Sequence, residues 1–164
     1  MADNPENAFD VVSSALDEVY RGADSSKWSA SRLSVPLFTV WAVEKAVGVI
    51  CNGGSQYFFE NDWPDKPPYS VFVEAFRRIG SAESADCLEE AVAMFPFDAP
   101  HLHYQKRREH MDFLREREGT EISVLDRLGE RIMDLEDETF RLLARYIQQH
   151  VDSFPSAKEK IENR

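Results

Sequence analysis

Apolar residues recur three or four positions apart along most of the chain, the spacing that places side chains on one face of an α-helix. No alternating apolar and polar run of useful length indicates a β-strand. The sequence therefore predicts an all-α fold: one compact domain of about six to eight helices over 1–153, then a polar C-terminal tail over 154–164. Two loops are expected, a polar one at 22–32 anchored by Trp28 and a rigid proline-rich one at Trp63–Pro68. The predicted helices cover 7–21, 34–51, a short aromatic segment ending near 61, 69–79, 83–95, 101–117, 124–133 and 138–151.

The centre of this pattern is a helix stop at Asn52–Gly54, followed at once by the aromatic run Tyr57–Phe59. Asn and Gly tolerate the left-handed backbone that ends helices. Aromatic residues that follow without a linker indicate that the chain folds straight back into a core. The helix before the stop has Ser34 as a candidate N-cap and Pro36 in its first turn, and it is apolar nearly all round. We therefore expect it to be the central buried helix.

Composition agrees with a globular domain, because 43% of the 164 residues are apolar and 12% are aromatic. The first residues have no basic region and no apolar stretch, so we expect no signal peptide. The apolar segment Val35–Cys51 is interrupted by Glu44 and Lys45, which favours a buried helix over a membrane span. Cys51 and Cys87 lie on apolar faces and need no disulfide, so we expect a reduced, cytoplasmic protein.

Among the features of the composition, net charge says most about possible partners. The chain has 30 acidic residues against 19 Lys and Arg, a formal net charge of −11. Such a surface repels nucleic acid and anionic membranes and attracts basic proteins, so no direct contact with nucleic acid or membrane is expected. Solubility alone also explains an acidic surplus of this size in most proteins. The acidic residues are unevenly placed, however, because no Lys or Arg occurs between Ile79 and Gln105.

Carboxylates three or four positions apart on a helix stand about 5–6 Å from each other. This spacing is close enough to that of phosphates along a nucleic-acid strand for a basic groove to accept it. Two acidic segments have such pairs, one in the helix predicted at 83–95 and one at the start of the helix predicted at 138–151. The candidate partner-binding face consists of Glu83, Asp86, Glu89, Glu90, Asp134, Glu136, Asp137 and Glu138.

The sequence gives little support to a metal site, a phosphate-binding loop or a catalytic thiol. His101, His103 and His110 with Glu109 match no zinc motif, and the neighbouring Lys106–Arg108 would repel a cation. The glycine pair lacks the Lys-Ser/Thr that follows a P-loop, and neither cysteine has a His or Asn partner at a known spacing. We therefore expect no catalytic residue, no metal ion and no cofactor.

One block of the sequence resembles a family of bacterial DNA-mimic proteins, much of which is filed as a domain of unknown function. The resemblance covers roughly 33–151 and departs from the family at the prolines of Trp63–Pro68. It rests on Glu44, on the motif Asn52, Gly53, Gly54, Gln56, Tyr57, Phe58 and Asn61, and on Phe76–Gly80, Leu135–Asp137 and Leu142–Ile147. We interpret the motif as structural. The resemblance implies an all-helical fold and, from the characterised member, a homodimer whose acidic surface imitates duplex DNA in a transcription factor's DNA site.

The leading hypothesis is a non-enzymatic acidic interaction protein that binds a basic protein, such as a DNA-binding protein, by imitating DNA. An immunity-like or antitoxin-like inhibitor of a toxin that acts on nucleic acid is an alternative within the same class. A third hypothesis is a small-ligand protein or an enzyme with a pocket at the Gly53-Gly54 corner. That pocket would be lined by Asn52, Gln56, Tyr57, Asn61 and Trp63, whose polar groups must otherwise find partners in the protein.

Overall fold

The structure, a computed structural model, describes residues 5–21, 29–118 and 124–162. Within these ranges the chain forms α-helices and short 3-10 turns, with no strand, and the predicted all-α fold is confirmed. The loop anchor predicted at Trp28 lies outside the described residues. The helices are α1 (Pro5–Val19), α2 (Val35–Glu60), α3 (Ser70–Ile79), α4 (Ala82–Ala93), α5 (Tyr104–Glu118), α6 (Val124–Asp134), α7 (Glu136–Gln149) and α8 (Pro155–Glu162).

Helix α2 is the centre of the fold, as its apolar circumference predicts. It packs against α1, α3, α5, α6 and α7, and Val40, Trp41, Val47 and Ile50 are at most 2% exposed. In the described part of the chain, α2 alone is long and apolar enough to cross a membrane, with a mean hydropathy of 1.3 over its most apolar window. A core helix meets the same criteria, and the packing around α2 is that of a core helix.

The helix stop predicted at Asn52–Gly54 is a sharp bend inside α2. Gly54 has the non-helical angles φ 73° and ψ 178°, and the chain is helical on both sides of it. This region of φ and ψ is almost restricted to glycine, since a side chain there meets the backbone. The bend therefore turns the last segment of α2 back into the core, where Phe58 and Phe59 are fully buried.

An aromatic cluster fills the space that the bend creates. The ring centroids of Trp63 and Phe72 are 4.8 Å apart, and those of Phe58 and Phe59 are 5.1 Å apart. The indole Nε1 of Trp63 donates a hydrogen bond of 3.1 Å to the carbonyl of Phe58. Because that carbonyl belongs to the last turn of α2, Trp63 both packs the core and satisfies a helix end. The loop Trp63–Pro68 contains no helix, as predicted.

The prediction of a polar tail at 154–164 is wrong for the residues that form α8. Phe154 and Ala157 are fully buried, and α8 packs against α1. On α1, Glu18 accepts hydrogen bonds from the backbone N–H of Ser156 at 3.1 Å and from its hydroxyl at 2.7 Å. Pro155 occupies the first helical position of α8, where proline is favoured.

Several helix ends also differ from prediction. Helix α5 begins at Tyr104 and not at 101, because Pro100–Leu102 forms a 3-10 turn before it. Helix α7 begins at Glu136, two residues earlier than expected. This shift places the three acidic residues 136–138 in its first turn.

Candidate interaction surface

Helix α4 carries the first acidic segment, and all four of its predicted carboxylates are exposed: Glu83, Asp86, Glu89 and Glu90. Helix α4 runs from the left-handed turn at Gly80, with φ 87° and ψ 9°, that ends α3. It packs against α3 on one side and α6 on the other. The packing keeps Leu88 and Ala91 in the core and leaves the carboxylates on the surface.

Arginines from both neighbouring helices reach three of these carboxylates. On α3, Nη2 of Arg77 lies 2.6 Å from Glu89 Oε2 and 3.4 Å from Asp86 Oδ1. On α6, Nε and Nη2 of Arg131 lie 2.5 Å from Glu83 Oε1. The pKa of Arg77 is raised chiefly by its hydrogen bond to Glu89, and that of Arg131 by its hydrogen bond to Glu83. The α4 acidic residues therefore present less negative charge than the sequence indicates.

The second acidic segment surrounds the start of α7. Asp134, Glu136, Asp137 and Glu138 are all exposed, and none forms a salt bridge with a Lys or Arg side chain in the ranges that the structure describes. The last three stand in the first turn of α7. Carboxylates there also offset the positive end of the helix dipole, so part of their presence has a structural reason.

A buried cluster of three hydroxyls joins the two acidic segments. Ser81 Oγ lies 2.9 Å from Ser84 Oγ, and Thr139 Oγ1 lies 3.2 Å from Ser81 Oγ and 3.4 Å from Ser84 Oγ. Ser81 and Ser84 belong to the start of α4, and Thr139 follows the acidic residues of α7. The beginnings of the two helices are therefore adjoining, which brings together the two segments that the sequence analysis had grouped by charge alone.

Glu136 also makes contact with α2. It accepts a hydrogen bond from the half-buried thiol of Cys51, and the pKa of Cys51 is raised to about 11. Burial is the largest cause of this shift, followed by the negative charge of Glu136 and by the hydrogen bond. A thiol with so high a pKa is almost entirely protonated at neutral pH and is a poor nucleophile.

Several motif residues at the bend of α2 make contacts within the protein. A Cβ on Gly53 would lie 2.6 Å from Cβ of Tyr57, so glycine allows the half-exposed Tyr57 ring to lie against the helix. The amide of Asn52 donates to the carbonyl of Gly48 at 2.7 Å, and that of Gln56 donates to Glu60 at 2.9 Å. These amides have partners within the protein, as the structural interpretation requires.

The most informative side chain that the sequence analysis missed is Arg107, which is 1% exposed. Its guanidinium donates to the carbonyls of Phe59 and Pro100, both at 2.7 Å, and to those of His101 at 3.1 Å and Asn61 at 3.5 Å. Arg107 thus ties α5 to the C-terminal end of α2, where carbonyls lack helical partners. Its helical spacing to the apolar Met111 and Leu114 was the available signal of an inward position.

A family model for the DMP19-like proteins matches residues 31–150. The chain belongs to the DMP19-like protein family. This is the DNA-mimic family that the sequence block resembles, and the match runs from the turn before α2 to the end of α7. It includes the bend and both acidic segments and leaves out α1 and α8. No curated protein and no solved structure matches the chain.

The histidines do not form a metal site. In the described ranges, no group of three or more His, Cys, Asp and Glu side chains is arranged to hold a metal ion. His110 Nε2 instead lies 2.8 Å from the carbonyl of Met94. The pKa of His101 is lowered by burial first, then by the charges of Arg107 and His103.

Next to the corner proposed as a ligand pocket, α2 and α6 are in close contact. A Cβ on Gly129 of α6 would lie 2.5 Å from Ser55 Oγ and 3.0 Å from Ser55 N, so the two helices meet there at backbone distance. Beside the corner, a cavity of about 10 Å³ lies between Gln56 and residues of α5 and α6. It has room for about one water molecule, whereas small-molecule sites usually enclose several hundred Å³.

Proposed function

We propose that this chain is a non-enzymatic, cytoplasmic interaction protein that binds a basic protein through the acidic surface of α4 and of the start of α7. The observation that carries the proposal is the exposure of all eight candidate carboxylates along α4 and around the start of α7, two helices whose beginnings adjoin. Membership of a DNA-mimic family favours imitation of DNA as the mode of binding. The partner is then a DNA-binding protein, such as a transcription factor, whose DNA site the acidic surface occupies.

The physical basis is electrostatic complementarity. Carboxylates about 5–6 Å apart on a helix face present negative charge at a spacing that a groove rich in Lys and Arg can accept. The net charge of −11 adds long-range attraction for a basic protein and repulsion of nucleic acid itself. A homodimer, as the family resemblance implies, would present this surface twice.

Two simpler explanations compete with the proposal. Acidic residues in the first turn of α7 stabilise that helix, by about 0.3–1 kcal/mol each at most sites. A high net charge also keeps proteins soluble. Neither explanation requires the two segments to adjoin, and neither makes binding depend on where the carboxylates lie.

Affinity capture from a lysate of the source cells tests the proposal. The tagged chain is immobilised at low salt, and bound proteins are eluted by a salt step or, separately, by competing duplex DNA. We expect a basic DNA-binding protein in both eluates, because both treatments replace the same contacts. Retention of no basic protein would contradict the proposal and leave solubility as the role of the charge.

Two variants of equal net charge serve as controls in the capture. One neutralises the candidate surface at α7, and the other neutralises exposed carboxylates elsewhere on the chain. The surface variant should release the partner and the second variant should retain it. The substitutions are D134N/E136Q/D137N/E138Q for the first and D17N/D112N/E116Q/E159Q for the second.

A further inference from the structure

The two acidic segments differ in a way that the sequence does not show. Three of the four α4 carboxylates, those of Glu83, Asp86 and Glu89, pair with an arginine of the same chain, whereas the α7 carboxylates form no salt bridge with a Lys or Arg in the described ranges. Arg77 is 48% exposed, and its partners Asp86 and Glu89 are 72% and 58% exposed. All these groups are therefore accessible to another protein, and the ion pairs can open without disturbing the core.

The fold fixes this pairing through backbone geometry. The left-handed Gly80 ends α3 and turns the chain directly into α4, so the last turn of α3 lies beside α4. Asp86 and Glu89 are three positions apart on α4 and hence face the same way. Arg77 reaches both, while the next residue, Arg78, pairs with Glu74 of its own helix at 3.1 Å. Of these two adjacent arginines, Arg77 therefore contacts carboxylates of the candidate surface, whereas Arg78 contacts a carboxylate outside it.

We propose that Arg77 and Arg131 are built-in counter-ions that compete with the basic partner for the α4 carboxylates. This inference rests on the proposed function and adds its regulation. A partner must supply its own cations and displace both arginines, so the surface discriminates against weakly basic proteins. The α7 carboxylates, which no Lys or Arg of the described ranges neutralises in a salt bridge, form the part of the surface that a partner can contact without this competition.

Such competition predicts that removal of an internal cation strengthens binding. Exposed ion pairs are weak, so the gain is modest, about two- to fivefold in affinity for a basic ligand. At physiological salt a surface charge acts over about 8 Å. The gain should therefore depend on which carboxylate the arginine contacts and not on the change in net charge.

The test compares R77Q with R78Q, which change the net charge equally on the same turn of α3. The probe is a fluorescein-labelled deca-arginine peptide, and its dissociation constant is measured by fluorescence anisotropy at 0.15 M salt. We expect R77Q to bind the peptide about two- to fivefold more tightly than the parent chain and R78Q to change affinity by less than about twofold. Equal affinities of R77Q and R78Q would overturn the inference.

A second background separates this inference from the proposed function. In a D86N/E89Q chain the carboxylates that Arg77 neutralises are gone, so adding R77Q should bring no gain. A gain that persists there would show that Arg77 acts through net charge, which also overturns the inference. If neutralising the α7 surface leaves peptide affinity unchanged, the proposed function itself fails, whatever R77Q does.

Discussion

The bend of α2 and the acidic segments of α4 and α7 are both conspicuous in the sequence, yet they have opposite physical characters. At the bend, Gly54 supplies a backbone conformation that other residues avoid, and Phe58 and Phe59 are fully buried. In the acidic segments every candidate side chain faces solvent. The bend and the rings behind it therefore belong to the core, while the acidic side chains lie at the surface. Changes at the bend should alter stability, and changes in the acidic segments should alter binding.

The largest expected effect is on stability, at the buried cation beside the bend. Arg107→Met removes the donor to four carbonyls, of which that of Phe59 is buried and the other three are partly buried. We expect a loss of about 3 kcal/mol in the free energy of unfolding, measured by urea denaturation. Arg108→Met is the matched control, because its side chain is exposed and, within the described ranges, its hydrogen bond is to the Tyr104 hydroxyl at 3.4 Å. Equal losses in both variants would contradict the structural role of Arg107.

A smaller loss is expected at the bend itself. Gly54→Ala places a side chain at φ 73° and ψ 178°, which should cost about 1–3 kcal/mol of stability. Gly48→Ala is the control within the same helix, where the nearest atom to an added Cβ is 3.9 Å away. That variant should be as stable as the parent or slightly more stable, because alanine favours helix. Thermal denaturation of the two variants gives the comparison. A Gly54→Ala variant as stable as the parent would contradict the bend.

The smallest effect concerns the contact between the two regions, Cys51 with Glu136. Glu136→Gln removes a negative charge and should lower the pKa of Cys51 from about 11, although burial keeps it above the ordinary value. More thiolate then forms at a given alkaline pH, so iodoacetamide should alkylate Cys51 faster. Peptide mass spectrometry follows the rate, with Cys87 as the internal control. An unchanged rate at Cys51 would contradict the contact.

Hydrophobic periodicity and glycine placement were sufficient to predict the all-α fold, the central helix and the position of its bend. They failed at α8, because Phe154-Pro155 was interpreted as the end of the ordered chain, although Pro155 starts a helix that packs on α1. Local pattern cannot show that Glu18, over a hundred residues earlier, bonds to Ser156. Tertiary packing decides such cases.

The candidate surface was predicted only in part. Charge and spacing identified the carboxylates, and all of them are exposed. The sequence pattern could not predict which side chains lie beside them, because Arg131 contacts Glu83 from a helix 48 residues later. The hydroxyl cluster that joins the segments likewise links Ser81 to Thr139, 58 residues apart.

The most direct test of the central claim is a comparison of peptide binding by two chains of equal net charge. The α7 variant D134N/E136Q/D137N/E138Q and the control D17N/D112N/E116Q/E159Q are titrated with the deca-arginine peptide, and their unfolding free energies are measured in parallel. We predict that the α7 variant loses about tenfold in affinity while the control loses less than about twofold, with both chains folded. Equal losses would show that net charge alone attracts the peptide and would contradict a dedicated acidic surface.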